Sequence, residues 1–400
     1  MGSRLMPADK PLKLAIVAGE ESGDLLGADI VLALERLTGR KVQLVGIGGR
    51  HLQQLGLTPF FDGSEIALMG FSAVLRDLPR LMRRISQTAA MIAAERPDCL
   101  VTIDSPDFSL RVAKKVRATA PAIPIIHYVC PSVWAWRPGR AVAMKPYVDH
   151  ILCILPFEVK ALARLGGPPG TYVGHRLTQD PGVLGAAKAQ NQPRDLSEDR
   201  VKTVLVLPGS RRGEVSRLME PFGKAMSALR QRGHRLRLIL PTVPHVAELV
   251  KTSIASWDDK PEIIAEPDRK WQAFGKADAA LIASGTVSLE LALAGVPMVS
   301  CYKLDPIARQ ILQHLVTTWS ALLPNLISDR VLVPEFYDQY VRPENLARQL
   351  EALFADTGMR AWQKAGFAEI ARRMATDRPS GEIAAEVVMG CIKKAAGSRQ

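Results

Sequence analysis

The chain has 400 residues, 47% of them apolar and 23% charged, with a net charge of +12. That length exceeds one ordinary hydrophobic core and predicts two domains of globular composition. No apolar run approaches the roughly 18–20 residues that span a bilayer, and the positive balance favours an anionic partner: nucleic acid, an acidic lipid surface or a phosphorylated substrate.

The first apolar run, "LKLAIVAG", is short and leads into "EESGDLLGA". It reads as a first β-strand rather than a signal peptide. The following helix carries Leu26, Ile30, Leu34 and Leu37 on one face. Where a dinucleotide fold places a glycine-rich phosphate loop, this turn holds Glu20, Glu21 and Asp24. Phosphate would be repelled there and sugar hydroxyls accepted, although Ser22 or Asp24 could equally cap the helix. "VQLVGIGG" is a second strand with only a fragment of a glycine fingerprint.

Next comes "MGFSAVLRDLPRLMRRI", residues 69–85. Pro79 suits the first turn of a helix and so predicts a division there. Beyond it Met82, Ile85, Ala89 and Ile92 form a stripe that packs on the sheet. Phe71, Val74, Leu75, Leu78 and Leu81 are expected to form an exposed apolar patch rimmed by Arg76, Arg80, Arg83 and Arg84, a pattern suited to an anionic bilayer surface.

"VTIDSPDFSL" ends a strand on Asp104 and Asp107. Carboxylates at a strand's carboxyl end face the ligand crevice in a parallel sheet, so one is a candidate general base, while Asp107 or Ser105 could instead cap the next helix. "IIHYVCPSVWAWRPGR" places Trp134 and Trp136 after another strand, with Arg137 and Arg140 following. Such aromatics stack on sugars or bases or fill a seam, and His127 reads as packing within its strand. "HILCIL" is a further strand, and the polar stretch from Pro181 to Arg200 reads as a linker.

The rhythm then restarts. "VLVLPGSRRGEV" is a strand, a turn and a helix start. Gly209 supplies backbone freedom, Ser210 is placed to cap, and Arg211 and Arg212 stand beside free N–H groups that suit an anion. The Walker spacing is absent. "ADAALIASGTVSLELALAGVP" repeats the device with Ser284, Gly285 and Thr286, and places Glu290 one helical turn inward. Diphosphate at the N–H groups and ribose hydroxyls on the acid would suit a nucleotide. The alternation of strands and helices in both halves predicts two Rossmann-like parallel-sheet domains with ligands in the cleft between them. The five cysteines are odd in number, lie mostly in apolar runs and show no metal-ligand spacing, which reads as buried free thiols. No nucleic-acid-binding module is recognised.

Together "AGEESGDLLGA", "IDSPDF", "IHYVCPSVWAWRPGR", "LPFE", "YVGH", "LPGSRRGEV", "ASGTVSLELAL", "PMVSCY" and "LPNL" resemble the lipid-A-disaccharide synthase family, in order and at family-like spacing, from about residue 12 to the C-terminal helices. The resemblance implies an inverting GT-B glycosyltransferase that joins UDP-2,3-diacylglucosamine to 2,3-diacylglucosamine 1-phosphate. It implies no metal or cofactor, no nucleic acid, a peripheral place on the cytosolic face of the inner membrane, and in many relatives a homodimer. By position it makes Asp104 the base for the acceptor 6-hydroxyl and Arg211 the neutraliser of the departing diphosphate, with Arg212 beside it. It assigns Gly209, Ser210, Ser284, Gly285, Thr286, Glu290 and Asn325 to the nucleotide side. Glu20, Ser22, Gly23, Asp24 and Trp134 fall to the first-domain substrate side. The expected boundaries are residues 1–180 for the N-terminal domain, 200–365 for the UDP-sugar domain, and 366–400 for C-terminal helices returning to the first domain or reaching a partner chain. Other readings stay open beside it: another GT-B UDP-sugar transferase, a UDP-sugar 2-epimerase, or a non-enzymatic binder of anionic lipid.

Overall fold

The apolar runs form two sheets in the computed structural model, which describes residues 11–63, 74–197, 199–305, 310, 315–355 and 357–397, the side chains of 74–78 excepted. The chain divides into two units, Met1–Arg176 with Thr376–Gln400, and Leu177–Ala375.

The first unit holds β1 (Leu12–Ala18), β2 (Val42–Ile47), β3 (Cys99–Ile103), β4 (Ile125–Tyr128), β5 (His150–Cys153) and β6 (Gly170–Tyr172). They pair in parallel in the order β2-β1-β3-β4-β5-β6. Their near-continuous Val, Ile and Leu content is what a sheet covered on both faces requires. Alternation along β1 sorts the two cores. Leu12, Leu14 and Ile16 pack with the helices Glu21–Thr38 and Ser380–Gly397, whereas Ala15 and Val17 pack with Val74–Glu95 and Pro106–Thr119.

Three expectations for the segment around Pro79 are corrected. The helix runs Val74–Glu95 with Pro79 inside it, so the proline does not divide the segment. The ring removes one backbone bond, to the carbonyl of Leu75, and the helix continues because Leu81, Ile85, Ala89 and Ile92 fasten it to the sheet. Leu81 is therefore core, 7% exposed, and not part of a lipid-facing patch; Met82, expected in the stripe, is exposed instead. Spacings of four, four and three from Leu81 follow the helical period more closely than a stripe begun at Met82. Phe71 lies outside the described residues, and Val74, Leu75 and Leu78 are described in backbone alone.

The second unit holds β7 (Lys202–Leu207), β8 (Leu236–Pro241), β9 (Glu262–Ile264), β10 (Ala279–Ala283), β11 (Met298–Tyr302) and β12 (Glu335–Tyr337), all parallel in the order β12-β11-β10-β7-β8-β9. The expected linker is folded into this unit. Asp180 caps a helix, Pro181–Gln190, by accepting from the Gly182 and Val183 amides at 2.8 and 3.1 Å. Buried Gln190 donates to the carbonyls of Phe274 and Ala277. Arg194 then reaches Gly275, Lys276 and Ala277 carbonyls and the Asp278 carboxylate. The boundary expected at 365 falls inside the helix Gly358–Met374; the chain returns to the first unit at Thr376.

Strand order positions the sites. In the first unit the chain leaves β1 for β2 on one side and later places β3 on the other. In the second it runs β7, β8, β9 on one side and places β10 on the other. At each reversal the loops beyond the carboxyl ends part, and a crevice opens.

Asp278 anchors the second unit's seam: its side chain is fully buried and accepts from Arg194, Arg200 and the Thr203 amide. Asp278→Ala should lower stability by about 2–4 kcal/mol, since it strands two largely buried guanidiniums without a counter-charge. Urea unfolding checks this, and a loss under about 1 kcal/mol would contradict the anchoring role.

Candidate functional site

The first reversal brings the loop after β1, carrying Glu20, beside the loop after β3, carrying Asp104. Asp104 and Ser105 have φ of +50° and +43°. Such backbone costs about 1–3 kcal/mol per residue and persists only where its surroundings over-determine it. Here the Asp104 amide donates to the Tyr128 carbonyl at 3.0 Å, and the Ser109 hydroxyl donates to the carbonyls of Asp104 and Ser105. Burial pushes the Asp104 carboxyl above its usual range, with the Ser105 amide pulling the other way. Partial burial and then the negative charge of Asp104 raise Glu20 as well. Asp107 is held by Arg140 at 2.7 Å, whereas Asp104 has no ion-pair partner among the described residues. The two carboxylates that looked alike in sequence thus differ in kind: one is neutralised by an arginine, the other is partly desolvated and has no ion partner among the described residues.

Beside this turn lies a cavity of about 580 Å³ lined by Glu20, Glu21, Asp24, Gly49, Arg50 and His51, among others. Glu20 and Ser22 are exposed at its turn. Gly23 and Asp24 serve the fold. An added Cβ on Gly23 would lie 3.3 Å from Ile103. Asp24, 2% exposed, accepts from the amides of Gly49, His51 and Leu52 at 2.6, 2.8 and 3.3 Å and so holds the start of the helix Arg50–Gln54. Asp24 thus acts as a cap through three amide donors while its carboxylate still lines the cavity.

Trp134 is half-buried; its indole N–H donates to Glu158 at 3.3 Å and its ring meets Phe157 edge-on at 5.0 Å. Arg137 stacks on Trp136 at 4.3 Å. His127 is fully buried against the Thr102 hydroxyl at 2.9 Å, and burial lowers its pKa to about 3, so it stays neutral.

The second reversal brings the turn after β7 beside the turn after β10, around a cavity of about 330 Å³. Gly209, Ser210, Arg211, Ser284, Gly285, Thr286 and Glu290 all line it, and Arg212 does not. The two helix starts differ. Glu214 folds back so that one carboxylate oxygen accepts from the Ser210 and Arg211 amides at 3.2 Å each, while the other meets the Arg211 guanidinium. Gly209, at φ +106°, leaves room for this; a Cβ there would lie 2.3 Å from the Glu214 oxygen. The expected Ser210 cap and anion cradle are therefore filled by the chain's own carboxylate. At the other turn Gly285 has φ +150°, and the amides of Gly285, Thr286 and Val287 make no hydrogen bond among the described residues. That start is the open one, and an anion fits it. Glu290 stands inward, paired with Lys270 at 2.6 Å, whose ammonium also lies over Trp271 at 4.3 Å.

Asn325 is fully buried, and its amide is saturated: it donates to the Val333 carbonyl and Glu335 at 3.0 Å and accepts from the Leu332 and Val333 amides at 2.9 Å. It has no capacity left for a ligand, which corrects the expectation that it binds substrate. Glu335, which sequence reasoning missed, ties Ser320, the Ala321 amide and Asn325 together, and the Ser284 hydroxyl donates to the Ala321 carbonyl. Lys270 and Glu214 were missed as well. Glu214 carried one readable signal, a carboxylate at the third helical position, where capping boxes place one.

A family model described as lipid-A-disaccharide synthetase matches residues 14–382. The lipid-A-disaccharide synthase of Nitrobacter hamburgensis is 44% identical over 391 residues, 98% of either chain. That of Bradyrhizobium diazoefficiens is 43% identical over 387 residues, 96% of this chain and 98% of the other. Among solved structures, S. aureus MnaA with UDP aligns at a TM-score of 0.60 and 16% identity over 96% of this chain and 97% of its own. Acinetobacter baumannii MurG aligns at 0.57 and 14% over 95% and 100%. Identities this low speak to the GT-B fold alone.

Asn325→Ala should cost about 1–3 kcal/mol of stability by orphaning buried backbone donors, yet leave UDP affinity within about twofold when measured well below its melting temperature. A large affinity loss in a fully folded variant would return Asn325 to the binding surface.

Proposed function

This chain belongs to the lipid-A-disaccharide synthase family, a hexosyltransferase family, and we propose that it joins UDP-2,3-diacylglucosamine to 2,3-diacylglucosamine 1-phosphate, releasing UDP and a β-1,6-linked disaccharide 1-phosphate. The observation that carries the residue assignment is the contrast between the two crevices. One offers desolvated, unneutralised carboxylate, the other unpaired amides beside an arginine.

The chemistry of inversion divides the same way. Asp104 accepts the proton of the acceptor 6-hydroxyl as that oxygen attacks the anomeric carbon, and the bond from that carbon to the diphosphate breaks. A raised pKa makes Asp104 a better base than an ordinary surface carboxylate. The departing diphosphate carries the growing negative charge. The Gly285, Thr286 and Val287 amides and Arg211 receive it, preorganised rather than recruited. Glu290, steadied by Lys270, accepts from the ribose hydroxyls with its other oxygen. Diphosphate is disfavoured in the first crevice, where Glu20, Glu21 and Asp104 repel it. The cationic sugar of the transition state suits carboxylate on one side and diphosphate on the other, by analogy with glycoside hydrolysis.

Acylated substrates reside in a membrane, which supports peripheral work at its cytosolic face. No helix among the described residues is long and apolar enough to cross one. Arg80 and Arg83 are exposed on the helix Val74–Glu95 and supply basic charge for such a surface.

Mass spectrometry of the wild-type chain with both acylated sugars should show the disaccharide 1-phosphate; UDP release with a C2-epimerised sugar instead would overturn the reading. Asp104→Asn should lower kcat by about 10²–10⁴-fold with UDP affinity unchanged. In the wild type the rate should fall about tenfold per pH unit once pH drops below the raised pKa of Asp104, because the protonated acid is no base. Full turnover in the variant removes Asp104 from that role.

A further inference from the structure

We infer that Cys130, Cys153 and Glu158 form a site for one soft divalent cation of the zinc and cadmium class, in the first unit beneath Trp134. The two sulfurs and a Glu158 oxygen lie within 4.8 Å of one another, and all three residues are buried. Nothing in their sequence spacing suggests a site. They meet because β4 and β5 are parallel neighbours, with Tyr128 opposite Leu152. Cys130 lies just past β4, Cys153 ends β5, and Glu158 opens the helix Glu158–Arg164.

The donor chemistry fits. A tetrahedral site with metal–sulfur bonds of about 2.3 Å and a metal–oxygen bond of about 2.1 Å needs its donors some 3.5–3.8 Å apart. The cluster is within about an ångström of that. Two thiolates with one carboxylate select zinc-like cations over magnesium or calcium. The thiols otherwise pack in an apolar cluster with Leu110, Val133, Met144 and Ile151, and their hydrogen bonds to carbonyls are weak. Cys130 donates weakly to the Pro131 carbonyl at 3.4 Å, and Cys153 to the Ile151 carbonyl at 4.0 Å. Cys99 and Cys301, by contrast, are buried outside any such cluster.

The carboxylate makes the case specific. Glu158 is 2% exposed and accepts from the Ile154 and Leu155 amides at 3.0 Å and from Trp134 at 3.3 Å, but no cation pairs with it among the described residues. Its hydrogen bonds are satisfied but a buried carboxylate still lacks a counter-charge among the described residues, which a divalent cation supplies. On binding, two metal–sulfur bonds and one metal–oxygen bond form. Each thiol loses its proton to solvent, as does Glu158 where protonated, and a water completes the fourth position.

The inference is independent of the glycosyl-transfer reading. The full chain, kept reduced by a phosphine, is titrated with Cd²⁺ while thiolate-to-metal charge-transfer absorbance is followed. One equivalent should saturate the band. Cys130→Ser and Cys153→Ser should each abolish it, Glu158→Gln should weaken affinity at least tenfold, and Cys391→Ser should leave it unchanged. X-ray absorption of the wild-type chain with zinc alone needs no variant, and should show two sulfur neighbours and an oxygen shell. A band that survives both cysteine variants, no band at one equivalent, or a shell of oxygen and nitrogen only would overturn the site.

Discussion

The two candidate ligand crevices of this chain depend on where a parallel sheet reverses its strand order. Strands that follow one another on one side of the first strand send their connecting helices to one face, and the later strand sends its helix to the other. The loops at the seam then diverge, and backbone amides and side chains stay uncovered there. Both units show this, β1 against β3 and β7 against β10. The loops carrying Glu20 and Asp104, and those carrying Arg211 and Ser284, are the seam loops in each case.

Position alone does not make a group available. The folded chain consumes much of its own polar inventory to satisfy buried donors. Asp24 closes the start of a short helix, Glu214 fills one helix start of the second unit, and Asn325 ties the segment 332–335. Among the described residues what is left over is small and chemically distinct: a partly desolvated aspartate in one unit, and three amides without hydrogen bonds, with an arginine, in the other. The function follows from that remainder more than from the full set of polar residues in the motifs.

The strands and the motif positions were legible because parallel strands are continuous apolar runs and ligand turns follow them directly. Residues such as Asp104 and Ser284 could be marked from that rule alone. The role of each polar residue was less legible, since it depends on partners distant in the chain. Asn325 is saturated partly by Glu335 on an edge strand, and the thiol pair meets only through strand pairing. The polar stretch after Pro181 looked like a linker because its partners are backbone carbonyls near β10, which leave no hydrophobic period to read. Leu81 was misplaced for a different reason. A helix stripe read one residue out of phase exchanges a core position for a surface one, as Met82 shows.

The division of labour between the crevices is tested most directly by a crystal structure of the wild-type chain with UDP. The diphosphate should lie within hydrogen-bond distance of the Gly285, Thr286 and Val287 amides, with the ribose against Glu290 and Glu214 still bound to the Ser210 and Arg211 amides. A diphosphate seated on the Ser210 and Arg211 amides with Glu214 displaced, or held in the first unit beside Glu20, would contradict the account.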